Sequence, residues 1–157
     1  MMRLRVLSVG KSDAGFVREG VEHYLKRLRP LLPLEWEEVR AARHSGRSAE
    51  QALATEGQAI LKHVAAGDRL VLLDERGKSL TSPGLAEWLT RVRQLPVSSA
   101  VLVIGGAYGV SEAVRTRANE MLSLSPMTLP HQLVRIVLLE QLYRAATILA
   151  GQPYHHG

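Results

Sequence analysis

Two short runs in this chain, Leu70–Leu73 and Ala100–Ile104, are apolar at every position. A strand with one wet face alternates apolar and polar residues. A short unbroken apolar run reads instead as a strand buried on both faces. Amphipathic segments separate these runs from each other and from further strand candidates. That alternation predicts an α/β fold: a mainly parallel sheet with helices on both faces. In such sheets ligands bind outside the carboxyl ends of the strands. Three loops qualify: those after Leu73, after Ile104 and after Leu124.

The rest of the chain fills in around those strands. Met2–Val9 reads as a first strand, ended by Gly10. Phe16, Val17, Val21, Tyr24, Leu25 and Leu28 recur at helical spacing, which predicts a helix over about 14–29, stopped by Pro30 and Pro33. Leu34–Val39 is a polar-rich, partly exposed strand, and Arg40–Arg47 a loop. A second helix starts near Ser48, turns Leu53, Ile60, Leu61 and Val64 inward, and closes before Gly67. Asp74–Lys78 reads as a polar loop. Ser82-Pro83 suits the start of a third helix, with Ser82 as cap and Leu85, Trp88, Leu89 and Val92 as the buried stripe. Gly105–Gly109 is a glycine loop, Ser111 caps a fourth helix, and Met121–Leu124 is the last strand. Ser125–Pro130 is a stiff, mostly apolar loop with two prolines. His131–Ala150 is the longest helix, and Gly151–Gly157 a tail.

The 157 residues suit one domain, spanning 1–157, with a real core. No apolar run approaches the roughly 20 residues of a membrane span, and the N-terminal stretch is too short for a secretory signal. With no cysteine, disulfides, thiolate catalysis and cysteine-ligated metal drop out. The expected compartment is the cytoplasm, and no metal is expected. A net charge of +5, carried mainly by arginine, suits a polyanionic partner. With aromatics at 4%, a base-stacking platform for single strands is not expected.

Several constellations could carry chemistry. Gly105-Gly106-Ala107-Tyr108-Gly109 follows a buried strand and precedes a helix, so its backbone can approach a ligand closely; it also suits a plain tight turn. It lacks the dinucleotide spacing G-x-G-x-x-G and the lysine of a P-loop. Ser125–Pro130 could wall a pocket for a purine ring or simply pack as a connector. His131–Ala150 is apolar around most of its circumference, which calls for burial on a second side, such as a two-fold subunit interface. Arg135 breaks that pattern. It shares a face with Leu138, Leu139, Leu142 and Ala146, so it needs a partner or an anionic ligand, or it snorkels from the first turn. Glu140 and Arg144 read as a plain i, i+4 pair. The tail residues Tyr154 and His155 either fray or complete a site on a neighbouring surface. Arg40, Arg43, His44 and Arg47 can contact phosphates, as can Lys26, Arg27 and Arg29, although the latter also suit a helix C-terminus.

The run from Leu102 to His155 resembles the RlmH family, bacterial large-subunit rRNA methyltransferases of the SPOUT superfamily. The resemblance rests on LVIGGAYG at 102–109, LSLSPMTLPHQLVRIVLLEQLYRA at 122–145 and PYH at 153–155. Upstream, VGK at 9–11, EHYLKRL at 22–28 and LLDERGK at 72–78 fit as well. The resemblance implies a C-terminal trefoil knot and S-adenosylmethionine held at Leu73, at Gly105 with Gly106, and at Leu124, Ser125, Pro126, Met127, Thr128 and Leu129. These positions fall on the three strand-end loops. It further implies a homodimer through the C-terminal helix and methylation of N3 of a pseudouridine in an rRNA stem-loop of the assembled ribosome. Candidate catalytic groups are His131, Arg135, Tyr154 and His155. Arg135 could stabilise negative charge on the base, and His155 could act as general base. Other readings are a SPOUT enzyme acting on tRNA, a non-catalytic ribosome assembly factor, and a nucleotide-binding oxidoreductase, against which the missing fingerprint counts.

Overall fold

A computed structural model describes residues 2–13, 15–43 and 48–157. The elements run β1 (Arg3–Val9), α1 (Phe16–Leu28), β2 (Leu34–Val39), α2 (Ala49–Lys62), β3 (Arg69–Ser79), α3 (Ser82–Arg93), β4 (Ser99–Ile104), α4 (Glu112–Arg117), β5 (Glu120–Ser123) and α5 (His131–Ala150). The five strands form one sheet in the order β2-β1-β4-β3-β5, and each neighbouring pair is parallel. The expected α/β class and parallel sheet are therefore what the chain adopts.

The apolar strands divide their side chains by period two. Leu4, Val6, Ala100, Leu102 and Ile104 pack with α1, α3 and α5 through Val21, Leu28, Trp88, Leu89, Leu138 and Leu142. Leu7, Val9, Leu70, Leu72, Val101 and Val103 pack on the other face with Ile60 of α2 and Val114 of α4. Helices thus cover both faces, as unbroken apolar strands require. β2 lies at the sheet edge, where its polar residues reach water.

Several sequence expectations shift. The 74–78 segment is not a free loop. Leu73 and Lys78 both pair with Leu122 of β5, so residues 74–77 form an excursion within one long strand. Gly77 makes this possible: a Cβ there would stand 2.7 Å from the Met121 backbone. Thr81, not Ser82, caps α3, accepting the Gly84 N–H at 3.0 Å. Ser82 instead donates to Gln141 of α5 at 2.6 Å. Phe16 was expected on a buried stripe but is 68% exposed, as the first residue of α1. On α2, Leu53 and Leu61 are only half-buried, and the helix ends at Lys62, short of half-buried Val64 and of Gly67. The buried residues of the helix are Ala52, Glu56, Gly57 and Ile60. The last strand ends at Ser123 rather than Leu124.

Helix α5 has the bounds its sequence predicts. It packs against α1 and α3, so two of its flanks are covered within the chain. Val137 and Ile148 remain half-buried, and Leu133 and Leu149 are exposed.

Candidate active site

Parallel strands deliver their following loops to one edge of the sheet. The loops after Leu73, Ile104 and Leu124 meet there around a cavity of about 420 Å³. Its walls include Leu73, Ile104, Leu124, Leu129 and Val134, with Asp74, Glu75, Arg76 and Arg115 as the charged side chains and His131 at one side.

Each loop is held by its own residues. In the glycine loop the Gly109 N–H donates to the Gly106 carbonyl at 3.0 Å, closing a tight turn. A Cβ on Gly105 would stand 2.8 Å from Val110 Cγ1 and 2.9 Å from the Gly109 carbonyl oxygen. Only glycine lets that backbone lie against the cavity. The turn reading and the ligand-approach reading are therefore one arrangement. Behind it, Glu56 and Gly57 of α2 buttress the loop: Glu56 lies against Gly106, and Gly57 against Ser111, the cap of α4. In the third loop Ser123 Oγ donates to the Ser125 carbonyl (2.8 Å), and Ser125 Oγ accepts the Met127 N–H (3.0 Å). Thr128 Oγ1 donates to Glu75 at 2.5 Å, joining the third loop to the excursion of β3. Asp74 accepts from the Arg76 backbone N–H (2.9 Å) and Nε (3.1 Å), and pairs with Arg115 Nη1 at 2.9 Å. Arg76 foremost, with Arg115, holds the Asp74 carboxyl well below the usual carboxylate range.

The cavity brings together most of the residues singled out for a cofactor: Leu73, Gly105, Gly106, Leu124, Ser125, Met127, Thr128 and Leu129 line it, and Pro126 does not. Among the catalytic candidates, His131 lines it. Burial pushes the His131 imidazole below the ordinary histidine value, the Arg135 charge adds to this, and Asp13 and Glu56 oppose it. The unfolded chain therefore binds a proton that folded His131 resists, and stability falls as pH drops through the window below the ordinary value of 6.5. His131→Gln is expected to flatten the acid limb of a plot of Tm against pH. An unchanged acid limb would remove His131 from that account.

Arg135 lies elsewhere. It is fully buried, which excludes snorkelling. Its Nη2 donates to the Val9 carbonyl (2.7 Å), and Nη1 to the Gly10 carbonyl (2.9 Å) and Ser12 Oγ (3.2 Å), with Glu38 at 3.5 Å. The partner its sequence position demanded is thus the end of β1. Gln132, next to His131, holds the same loop by accepting the Asp13 N–H at 3.0 Å and donating to the Lys11 carbonyl at 3.2 Å.

Tyr154 and His155 sit at the far end of α5. Arg144 is 13 residues beyond His131, about 20 Å along a helix. The tail is not frayed there. His155 Nδ1 lies 3.2 Å from Arg144 Nη1, the Tyr154 hydroxyl donates to Glu140 at 3.4 Å, and Arg144 stacks over the Tyr154 ring at 4.8 Å. Glu140 and Arg144, read as a plain pair, are therefore the centre of a four-residue cluster. Arg27 lies over Tyr143 at 5.5 Å at the same end.

Arg40 and Arg43 are exposed at the carboxyl end of β2, on the same sheet edge as the cavity but beyond β1. The Ala42 N–H between them donates to buried Glu56 at 3.0 Å. His44 and Arg47 lie outside the described residues. Sequence reasoning missed Asp74, Arg76 and Arg115. The first two were visible as charge at a strand end. Arg115 carries no sequence signal, since only the packing of α4 brings it to the cavity.

The residues fit the methyl donor that the family resemblance implies. The volume lies in the range of cofactor pockets. The walls pair apolar side chains with backbone groups, as a purine nucleoside requires, and ionic side chains stand at one side. Among the described residues no helix is long and apolar enough to cross a membrane, and no group of three His, Asp or Glu is placed to hold a metal ion.

Comparison with known proteins gives the family of the chain. Residues 2–155 match the family described as "Predicted SPOUT methyltransferase". A Pelobacter propionicus protein named Ribosomal RNA large subunit methyltransferase H is 50% identical, covering 99% of this chain and 100% of its own. Proteins of the same name from Geobacter sulfurreducens and Parabacteroides distasonis are 47% and 42% identical, each over 99% of this chain and 100% and 99% of theirs. With three strand-end loops converging on one cavity and a match running through all of them, the chain belongs to the SPOUT methyltransferase family.

Proposed function

We propose that this protein methylates large-subunit rRNA, transferring the methyl group of S-adenosylmethionine to N3 of a pseudouridine in the assembled ribosome. The observation that carries the reading is the convergence of Leu73, Gly105 and residues 124–129 on one cavity, in a chain alignable end to end with rRNA methyltransferases. A tRNA substrate has no such support, and a dinucleotide oxidoreductase conflicts with the family. One domain, a cytoplasmic location and the C-terminal knot belong to the same proposal. For the knot, support comes from the family to which the chain belongs.

The bound donor supplies an electrophilic methyl on a sulfonium. Around it the chain must align the incoming nitrogen and exclude water. The N3 nitrogen carries a proton at neutral pH. As the N–CH₃ bond forms and the S–CH₃ bond breaks, that proton goes to a base. His131 stands on the cavity wall with its imidazole biased toward the neutral form. Within one chain, Tyr154 and His155 are a helix length away, so their part in catalysis requires a second copy. The half-buried and exposed stripe of Leu133, Val137 and Ile148 supports a homodimer through α5 that would supply it. Arg135, spent on backbone carbonyls, acts in this reading by positioning the start of α5. Arg40 and Arg43 supply phosphate contacts beside the cavity.

The test is tritium transfer from labelled S-adenosylmethionine to ribosomes from cells lacking this gene. Label mapping to one pseudouridine of large-subunit rRNA is the expected result. Label on tRNA alone would replace the substrate. Cofactor binding with no transfer to either RNA would favour a non-catalytic assembly factor.

A further inference from the structure

We propose that Asp74 and Arg115 form a seat for the amino-acid end of the methyl donor, Asp74 taking the α-ammonium and Arg115 the α-carboxylate. The inference rests on the methyl-donor reading above. It adds which side chains read the part of the ligand that distinguishes it from a simple adenosine thioether.

The argument begins with what else the cavity offers. Most of its wall is apolar or backbone, suited to a nucleoside and unsuited to a zwitterion. Of its charged side chains, Glu75 is engaged by Thr128, and Arg76 is 67% exposed. Asp74 and Arg115 are more enclosed, with side chains 12% and 24% exposed. They come from different walls, the excursion of β3 and the short helix α4. They meet at 2.9 Å across the cavity rim. A donor with an α-amino acid end presents an ammonium and a carboxylate on one carbon. An Asp–Arg pair at contact distance is the complementary pattern, so that the four charges alternate in sign.

Each member keeps capacity for a second partner. Arg115 touches Asp74 through Nη1, and the rest of its fork of N–H donors can meet a carboxylate. Asp74 is oriented from behind by the Arg76 backbone N–H and guanidinium, and a carboxylate has sites for more donors than these. The pair is therefore preorganised at the point where a ligand would need it, with little left to order on binding. The excursion that Gly77 permits is what carries Asp74 outward from β3 to this place.

Two ligands separate the contributions: S-adenosylhomocysteine, which keeps the amino-acid end, and 5′-methylthioadenosine, which lacks it. Both are titrated calorimetrically into the purified full-length protein, so the readout is binding rather than turnover. The wild type should hold S-adenosylhomocysteine at least about tenfold more tightly, as expected for charge-assisted hydrogen bonds to both ends of the zwitterion. Arg115→Met and Asp74→Asn should each weaken S-adenosylhomocysteine by about tenfold. Both should leave methylthioadenosine within about twofold, so that the gap between the ligands closes. A gap that survives both substitutions overturns the seat. So does a parallel loss of both ligands, which would mean the pair only braces the cavity. Should Asp74→Asn fail to fold, Arg115→Met decides alone, since it leaves Asp74 with Arg76. Failure of both ligands to bind the wild type would instead overturn the methyl-donor reading, and the seat with it.

Discussion

Arg135→Ala is expected to lower stability by about 3–5 kcal/mol, the usual cost of removing one member of a buried ionic group. At the heat and entropy of unfolding of a domain this size, that is a fall in Tm of roughly 10 °C. The reason lies in what the substitution strands. The carbonyls of Val9 and Gly10, the Ser12 hydroxyl and the Glu38 carboxylate all meet the guanidinium. Alanine leaves them facing a void. Glu38 also accepts from Ser12 and Trp36, and these donors with Arg135 hold its carboxyl below the ordinary value against the cost of burial. Arg135→Lys should recover only part of the loss, because one ammonium cannot span two carbonyls in the manner of a planar fork. Thermal and denaturant melts of both variants check this. A change in Tm under about 2 °C for Arg135→Ala would mean that the end of β1 holds itself. Any loss of methyl transfer in these variants must then be read against their stability, since His131 and Val134 of the cavity wall stand on the same turn of α5.

Gly105→Ala should act on the site and spare the fold. The added methyl would press on Val110 Cγ1 and on the Gly109 carbonyl oxygen, and the second of these is backbone that cannot swing aside. The glycine loop must shift into the cavity or away from β4. Overpacking of this kind costs about 1–3 kcal/mol, which, with the strain borne by the bound state, corresponds to a loss of about 5-fold to 150-fold in cofactor affinity. Calorimetric titration with S-adenosylhomocysteine measures it, with the melting temperature as control. Undiminished affinity would show that the loop has slack.

The strands and α5 were legible because their signals are local. Leu70–Leu73 and Ala100–Ile104 carry no polar residue to hide, and two faces of burial leave no other reading. The three site loops were legible for a related reason: a parallel sheet sends all its following loops to one edge, so topology alone selects them. Residues 74–78 were misread because their charge describes a loop, whereas their pairing depends on β5, over 40 residues away. The cap at Thr81 was missed because Ser82 is chemically equivalent and only the backbone chooses between them. Arg135 was recognised as needing a partner, but not which one. Its acceptors are carbonyls, which every residue has and no sequence displays. Tyr154 and His155 looked like a loose end because stacking on Arg144 and Tyr143 requires the tail to double back along a helix.

The clamp between Arg135 and the end of β1 bears on how the molecule comes into being. Strand β1 is finished by a side chain that lies 125 residues further along the chain. Until α5 docks, Val9 and Gly10 keep water on their carbonyls, and the Lys11–Asp13 loop lacks its second tether at Gln132. Contacts that join opposite ends of the chain are the ones that make folding slow. Synthesis and final assembly are thus separated in time. A growing chain can present its apolar segments early, but the end of β1 sets only once α5 has docked. Such a protein is poorly divisible: fragments that stop short of α5 would carry every residue of the glycine loop and still lack the clamp that finishes β1.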